Sequence, residues 1–371
     1  MSENISVFDL SQLDGPNALV KFVRDSYASA AKTSGRESDV DDTAPPPADV
    51  ESITVVPFPE LIGVDASVYR QIEAALRSGK RHLMFYGPPG TGKTEIARRL
   101  AGLLSPNWRL ITGSADWTSQ DIIGGYQPVG DGRIEFVPGV LLREFDRPLI
   151  IDELNRCDID KVIGPLFTVL SGQASTLPYR VDVADRNSEQ YVILPLPKPG
   201  SAPHEYAPSS AWRIIATINS IDKASLYQMS YALTRRFGWV FVDVPTNLGA
   251  FVAEYLGRAG LIKSSGDPSQ SPVVKIWGSI NNVRPIGAAP IIDWIDTTAR
   301  IKDEIDFLVA ADPTSVTAYL DGFYMYLLPM LDGILQQDAE EIAKACLEGL
   351  GVNENEPTAK EVTKRLMAMA I

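Results

Sequence analysis

The sequence of 371 residues predicts an α/β domain with a parallel sheet that helices cover on both faces, followed by a smaller α-helical domain. Three observations predict this architecture. Short apolar runs alternate with helical patterns between residues 58 and 244, a glycine-rich turn joins the first run to a helix, and strand-like runs become rare after Pro245. Buried apolar strands that alternate with helices are typical of parallel sheets.

Composition and charge argue against several classes of protein. Lysine and arginine number 34 against 47 aspartates and glutamates, and the net charge of −13 argues against a free-standing, non-specific nucleic-acid binder. Two cysteines and two histidines argue against a disulfide framework and an ordinary structural zinc site. The sequence has no apolar run of the roughly 18 residues that a membrane span needs and no signal-peptide pattern at its start. We therefore expect a cytoplasmic protein without membrane contact.

Residues 1–52 are predicted to form an acidic, proline-rich leader. Within it, residues 18–31 carry Leu19, Phe22 and Tyr27 at helical spacing, which predicts one short amphipathic helix. This helix would dock on a partner, or lie on its own domain or fray at the terminus. Residues 35–52 contain acidic residues and three consecutive prolines, which favour a flexible linker.

The α/β nucleotide-binding domain is predicted at residues 53–245 and the helical domain at residues 246–371. Strands are expected at 82–86, 109–112, 149–151, 213–218 and 239–244, with helices such as 95–104 and 161–170 between them. Helices are expected near 247–260, 290–309, 316–336, 339–350 and 358–370, the last behind Pro357.

A phosphate-binding loop is predicted at residues 87–94, which read GPPGTGKT between the first strand and a helix. Glycines let the backbone curl around a polyphosphate, and the amides at the helix start then face the anion. Lys93 is expected to reach the β- and γ-phosphates, and Thr94 to ligate Mg²⁺. The candidate nucleotide-binding residues are Gly87, Pro88, Pro89, Gly90, Thr91, Gly92, Lys93, Thr94 and Glu95.

Two other strand ends carry polar side chains. Asp152 and Glu153 follow an apolar run, and ligands bind at the carboxyl ends of strands in open α/β sheets. Asp152 is expected to hold Mg²⁺ through water, and Glu153 to orient and deprotonate the attacking water. Alternatively, both carboxylates only cap the next helix. Asn219 ends the run RIIATIN, where its amide orients the same water or merely starts a turn.

Arg235 and Arg236 come just before the last predicted strand. Arginine pairs usually lie in solvent, but one at the edge of a nucleotide-binding sheet can act as a finger on the phosphate of a neighbouring subunit. The sequence does not say which of the two is the finger.

From about residue 58 onward, the sequence resembles an AAA+ ATPase. The resemblance lies in the order of its features: the phosphate loop, the DE strand end, the asparagine strand end, the arginine pair and the helical region. The segment ADWTSQDIIGGYQPVGDGRIEFVPGVLL is similar to the hairpin-bearing insertion in the second helix of the MoxR, dynein, midasin and McrB branch. IIDELNR, the N-x-x-D string at Asn219 and Asp222, and ALTRRF resemble the McrB type, with MoxR-like proteins as the second choice.

The resemblance implies a Mg²⁺-dependent nucleoside triphosphatase that assembles into a ring, expected to be a hexamer, with ATP favoured over GTP. It places Lys93, Thr94, Asp152, Glu153 and Asn219 in matching motif positions. It also implies that Arg235 or Arg236 is the finger, that Asp222 communicates with a partner, and that Arg284 is a lid arginine on the γ-phosphate. The alternative for Arg284 is an ordinary surface residue.

The resemblance further implies the motor subunit of a McrB-like restriction or anti-phage defence assembly, with a separate effector or nuclease chain. The alternatives are a MoxR-like remodelling chaperone for a partner with a von Willebrand A domain, and a nucleotide-gated scaffold without significant turnover. McrB-type proteins usually carry a DNA-recognition domain where this sequence has its leader. DNA contact is therefore expected only indirectly or through a pore loop in residues 171–210, with Arg180, Arg186 and Lys198 as candidates. The alternative there is a variable surface hairpin.

Overall fold

The computed structural model describes residues 55, 57–130, 132–220 and 231–371. The predicted leader and Asp222 lie outside these ranges. The described chain divides into two compact units, one containing residues 70–86 and 94–241 and the other containing residues 57–69, 87–93 and 242–371. The predicted domain border at 245–246 stays a prediction, and the first unit ends at Phe241.

The described strands, in chain order, are β1 (His82–Gly87), β2 (Arg109–Thr112), β3 (Gly124–Gly130), β4 (Arg133–Pro138), β5 (Pro148–Asp152), β6 (Ser175–Arg180), β7 (Gln190–Ile193), β8 (Glu205–Tyr206), β9 (Arg213–Asn219) and β10 (Phe237–Phe241). The α-helices are α1 (Ala66–Arg77), α2 (Lys93–Leu104), α3 (Ser119–Ile122), α4 (Val140–Arg143), α5 (Ile159–Leu170), α6 (Tyr231–Thr234), α7 (Leu248–Ala259), α8 (Pro272–Val283), α9 (Ala288–Ile301), α10 (Val316–Tyr326), α11 (Gln336–Leu350) and α12 (Pro357–Met367).

The main sheet has five strands in the order β10-β1-β9-β5-β2. The pairs β1–β10, β2–β5 and β5–β9 are parallel. β1 and β9 are mostly apolar and almost wholly buried, as is typical of strands covered on both faces. Because neighbouring strands run in the same direction, the carboxyl ends of β5 and β9 lie at one edge of the sheet. The predicted parallel α/β core is confirmed.

The predicted strand at 239–244 is wrong in its bounds, because β10 runs from Phe237 to Phe241. Its register explains the shift. Phe237 lies opposite His82 and Phe241 opposite Tyr86, so the pairing ends where β1 turns into the phosphate loop.

Two hairpin insertions extend from the first unit, one formed by β3 and β4 and the other by β6 and β7. They contact each other through Tyr126, whose hydroxyl accepts a hydrogen bond from the Arg180 backbone N–H at 2.5 Å and donates one to its carbonyl at 3.1 Å. The rings of Tyr126 and Tyr179 lie 5.1 Å apart, and Phe136 stacks on Tyr191 at 4.3 Å. The insertions therefore pack as one body.

From Leu248 onward the named elements are helices packed around an apolar core that includes the fully buried Trp277 and Trp294. This confirms the predicted helical region, although two predicted helices are wrong. The helix expected at 290–309 ends at Ile301, and the Asp306 carboxylate accepts the Leu308 N–H at 3.0 Å, a local bond that competes with helix.

The helix expected at 316–336 ends at Tyr326, followed by a 3₁₀ turn (Leu328–Leu331) that contains Pro329. Helices α1 and α8 were not predicted. None of the helices in the described ranges combines the length and apolar character needed to cross a bilayer.

Candidate functional site

The loop at residues 87–93 has the backbone of a phosphate-binding loop. Gly90 and Gly92 have φ of 76° and 84°, a region that side chains with a Cβ rarely adopt. A Cβ on Gly92 would meet nothing within 4 Å, so the backbone angle rather than crowding favours glycine there. The loop therefore leaves open space beside Gly92, whereas a Cβ on Gly90 would stand 2.8 Å from Pro290 Cδ.

The ammonium of Lys93 is held inside this loop. Only 5% of Lys93 is exposed, and its Nζ donates to the carbonyls of Gly87 at 3.0 Å and Pro88 at 2.6 Å. The Thr91 hydroxyl also donates to the Pro88 carbonyl, at 3.0 Å. A buried positive charge thus stands within a curled loop that leaves space beside Gly92, which suits a polyphosphate.

The segment before α9 contacts the loop backbone, a feature the sequence analysis missed. The Gly287 N–H donates to the Pro89 carbonyl at 2.8 Å, and the Ala289 N–H donates to the Gly90 carbonyl at 3.0 Å. A Cβ on Gly287 would stand 2.2 Å from the Gly90 carbonyl carbon, so only glycine fits. Arg284, the predicted lid arginine, donates from Nη1 to the Met330 carbonyl at 2.6 Å, and its nucleotide role stays a prediction.

Thr94 belongs to the first unit and joins a cluster of oxygen donors there. Its hydroxyl donates to Asp152 Oδ1 at 2.7 Å, and the Thr217 hydroxyl donates to the same oxygen at 2.6 Å. Hydroxyl and carboxylate oxygens are the ligands that Mg²⁺ prefers. The structure therefore brings together the two residues predicted to hold the metal, and adds Thr217.

Glu153 has a left-handed backbone, with φ of 51°, and is the one non-glycine residue with positive φ in the described ranges. Its N–H donates to the Thr217 hydroxyl at 2.9 Å. A Cβ on Gly113 would lie 2.4 Å from the Glu153 carbonyl oxygen, so glycine is required where β2 ends. Such backbone strain persists only where neighbouring contacts enforce it, and it is common at functional sites.

The Glu153 carboxylate has two partners. Asn219 Nδ2 donates to Oε1 at 3.3 Å, and Arg156 Nε lies 2.5 Å from Oε2. Glu153 occupies the cap position of the short helix Leu154–Arg156 but makes no side-chain cap bond, which argues against the capping alternative. The Asn219 amide thus donates to the carboxylate, and its predicted role in orienting the attacking water stays a prediction.

Glu95, by contrast, pairs with arginines of its own helix. Its carboxylate lies 2.9 Å from Arg99 and 3.9 Å from Arg98. Its predicted part in nucleotide binding stays a prediction.

The arginine pair lies at the other edge of the sheet. Arg235 and Arg236 directly precede Phe237, which starts β10 opposite His82, the first residue of β1. Arg236 donates to the Ser171 hydroxyl and lies 6.0 Å from the Phe167 ring centroid. Arg235 is exposed. The fold therefore places this pair at the edge of the sheet opposite Asp152 and Glu153.

Four residues of this region were missed: Gly113, Arg156, Thr217 and Gly287. Thr217 had a detectable signal, since it shares with Asn219 the face of β9 that alternation defines. Gly113 directly follows the strand run RLIT, where a glycine often marks close backbone approach.

Each unit supplies groups that suit one part of a nucleoside triphosphate with Mg²⁺. In the second unit, the loop offers a curled backbone and the Lys93 ammonium for phosphates. In the first unit, Thr94 and Asp152 offer oxygen ligands for Mg²⁺. No group of three or more His, Cys, Asp or Glu side chains in the described ranges could hold a metal unaided. Mg²⁺ typically takes one or two protein ligands and completes its shell with phosphates and water, and the oxygens of Thr94 and Asp152 suit that role.

Residues 82–237 match the AAA domain (dynein-related subfamily). This segment is an AAA+ domain. The chain is also similar to the EcoKMcrB subunit of the type IV methyl-directed restriction enzyme of Escherichia coli (strain K12), with 28% identity over 178 residues, 44% of this chain and 36% of that protein. The predicted AAA+ family and McrB-type resemblance are confirmed.

Two further relatives are RuvB subunits of the Holliday junction branch migration complex. The subunit of Phytoplasma mali is 32% identical over 71 residues, 19% of this chain and 21% of that protein. The subunit of Thermomicrobium roseum is 31% identical over 111 residues, 28% of this chain and 31% of that protein. The matched part thus spans little more than a third, or less, of each of these three relatives.

Among solved structures, the chain is similar to a mutant of Thermotoga maritima RuvB, with a TM-score of 0.42 and 17% identity. It is also similar to the Thermotoga maritima RuvB Holliday junction branch migration motor, with a TM-score of 0.41 and 16% identity. Both alignments cover 81% of this chain, and they cover 87% and 85% of those chains.

Proposed function

We propose that this chain is a Mg²⁺-dependent nucleoside triphosphatase whose catalytic site is completed by a second copy of itself. The position of Arg235 and Arg236 supports this proposal most directly. Asp152 ends β5, whereas the arginine pair lies at the edge where the strands begin. The five residues of β5 span about 16 Å at ~3.3 Å each. An arginine side chain does not bridge that separation, so the pair serves a neighbouring subunit.

Each residue of the site has a role in this proposal. Lys93 and the amides of residues 87–93 bind the phosphates, and Thr94 and Asp152 hold the metal. The Mg²⁺, when bound, neutralises charge that develops on the transferred phosphoryl group. Glu153 accepts a proton from the attacking water, and Asn219 keeps the Glu153 carboxylate oriented.

Arg235 is the proposed finger. Arg236 already bonds the Ser171 hydroxyl of its own chain and lies against Phe167. Arg235 is exposed, and its backbone is fixed by Lys80, whose Nζ donates to the Arg235 carbonyl at 2.9 Å. An exposed residue on a hydrogen-bonded backbone suits contact with a neighbour, where its guanidinium would stabilise transition-state charge.

Mixing two inactive variants tests this assignment. Lys93→Ala removes phosphate binding and Arg235→Ala removes the finger, so each alone should lose turnover. In a mixture, the intact loop of one variant meets the intact arginine of the other, and activity should return in part. Specific activity of the unmutated protein should also rise with protein concentration. Concentration-independent turnover with no complementation would overturn the proposal.

Glu153→Gln separates binding from chemistry. The amide keeps the shape of the side chain but cannot accept the proton, so nucleotide affinity should persist while turnover falls by at least about 100-fold. Full activity in this variant would remove Glu153 from its role. Parallel assays with ATP and GTP establish the base preference, for which we propose ATP, and native mass determination tests the proposed hexamer.

We further propose that the ring is the motor subunit of a McrB-like restriction or anti-phage defence assembly with a separate effector or nuclease chain. The similarity to a restriction-enzyme subunit and the DELNR and N-x-x-D strings support this role. Co-purification with the product of the adjacent gene tests it. A nuclease-like partner supports the proposal. A von Willebrand A-type partner favours the remodelling chaperone, and no phosphate release with the partner present favours the scaffold.

A further inference from the structure

Two arginines stand side by side where the strands of the sheet begin. Arg213 is the first residue of β9, and Arg81 directly precedes His82, the first residue of the neighbouring β1. His82 Nδ1 accepts the Ile214 N–H at 3.0 Å, which places the two strand starts together. Adjacent strands lie about 4.8 Å apart, so the two arginines are close neighbours.

Neither guanidinium has a hydrogen-bond or ion-pair partner in the described ranges, and the Nε atoms of both are buried. Arg213 is only 6% exposed, and Arg81 is half-buried. A buried cation without an anion is strongly unfavourable, and buried charges in proteins are normally paired. The arrangement is therefore incomplete without an acceptor.

Arg147, at the same edge of the sheet, has the acceptors that Arg81 and Arg213 lack among the described residues. It directly precedes Pro148, which begins β5 opposite Arg213. Its side chain is 30% exposed, yet it bonds both oxygens of Asp146 at 2.8 Å, Glu144 at 3.2 Å and Asn107 at 3.0 Å. The more buried Arg213 has no such acceptor.

The surroundings of Arg213 are cationic. Burial, and then the charge of Arg81, lower the pKa of Arg213 to about 10. The pKa of His82 falls to about 3 through burial and then through Arg81, Arg213 and Lys80. Trp212 lies 4.9 Å from the His82 ring, and its buried Nε1 donor also lacks a partner in the described part of the chain.

We propose that Arg81 and Arg213 form an oxyanion-binding site that takes a carboxylate or phosphate group. The planar fork of a guanidinium matches both groups in a bidentate way. The site lies at the edge opposite Asp152 and Asn219, so it does not rest on the proposed nucleotide chemistry. Two sources can supply the group: one of the six acidic residues in segment 37–51 of this chain, or a free inorganic anion.

Inorganic phosphate is the probe, titrated at constant ionic strength while thermal unfolding of the full chain is followed. Every variant also carries Lys93→Ala, which weakens phosphate binding at the loop. We expect a saturable rise in the unfolding midpoint in Lys93→Ala, because a ligand that binds only the folded state stabilises it. Adding Arg213→Met should abolish the rise, whereas adding Arg147→Met, the matched control, should preserve it.

Replacing the six acids of segment 37–51 by their amides distinguishes the two sources. If the segment supplies the carboxylate, the midpoint falls without phosphate and the response to phosphate grows. If the midpoint is unchanged, a free anion is the occupant.

The proposal fails if Arg213→Met raises the midpoint equally at every phosphate concentration, which is the behaviour of a simply unpaired buried charge. Should Arg213→Met not fold, Arg81→Met provides the same readout at the less buried arginine.

Discussion

Replacing Thr217 by valine should disturb Asp152 and Glu153 at once. The Thr217 hydroxyl donates to Asp152 Oδ1 at 2.6 Å and accepts the Glu153 N–H at 2.9 Å, and the residue is 1% exposed. Valine has nearly the same shape, so the change removes two hydrogen bonds without opening a cavity. The strained backbone of Glu153 then loses one of the contacts that enforce it.

The size of the effect follows from these two bonds. A hydrogen bond to a charged group contributes about 1.5–3 kcal/mol, and a buried N–H left without an acceptor costs about 1–3 kcal/mol. Because the Glu153 N–H can partly recover through water, we expect the free energy of unfolding to fall by about 2–3 kcal/mol. If the same loss appears in the transition state, turnover falls roughly 30- to 150-fold.

Turnover against Mg²⁺ concentration is the decisive assay, together with chemical denaturation. The Thr217→Val variant should need more Mg²⁺ for half-maximal activity, since Asp152 is no longer held beside Thr94. Thr217→Ser keeps the hydroxyl and should stay within a few-fold of the unmutated protein in both measurements. Unchanged stability and unchanged Mg²⁺ dependence in Thr217→Val would refute the positioning role.

Three further predictions follow from buried or crowded positions. The pKa of His82 is about 3 in the folded chain, below its unfolded value of 6.5. As the pH is lowered below about 6.5, the free energy of unfolding should therefore decrease by up to ~1.4 kcal/mol per pH unit. His82→Gln should flatten that slope in denaturation curves between pH 6.5 and 4.5, and an unchanged slope would contradict the assignment. Burial raises the pKa of Cys157 to about 11 and that of Cys346 further. Both thiols should therefore resist alkylation until the chain unfolds, and rapid labelling of the native protein would argue otherwise. Gly287→Ala should cost about 1–3 kcal/mol and weaken nucleotide binding, because its Cβ would overlap the Gly90 backbone; wild-type affinity by calorimetry would show that the loop can move aside.

The grouping of the motif residues in the first unit could be predicted from the sequence, for a physical reason. Asp152, Glu153 and Asn219 each follow an apolar strand run, and parallel strands deliver their carboxyl ends to one edge of the sheet. Knowing the strands was therefore enough to place these side chains together.

The contacts that the sequence did not reveal depend on pairings between distant segments. Thr217 meets Asp152 only because β9 lies next to β5, and strand order cannot be read from strand positions. Gly287 meets the phosphate loop from almost 200 residues away. The predicted helix at 316–336 failed because local periodicity continued through Pro329, where the backbone lacks a donor.

The shared packing of the two hairpins restricts how this domain can be re-engineered. Tyr126 is inserted by one hairpin, but its hydroxyl is satisfied by the backbone of Arg180 in the other. A chimaera in which only residues 124–138 were replaced by those of a relative would lose the Tyr126 side chain. The Arg180 backbone would then lack its hydrogen-bond partner, and the Tyr179 ring would lose its aromatic contact. The two insertions are therefore one transplantable module, and grafting between relatives should succeed only when both are moved together.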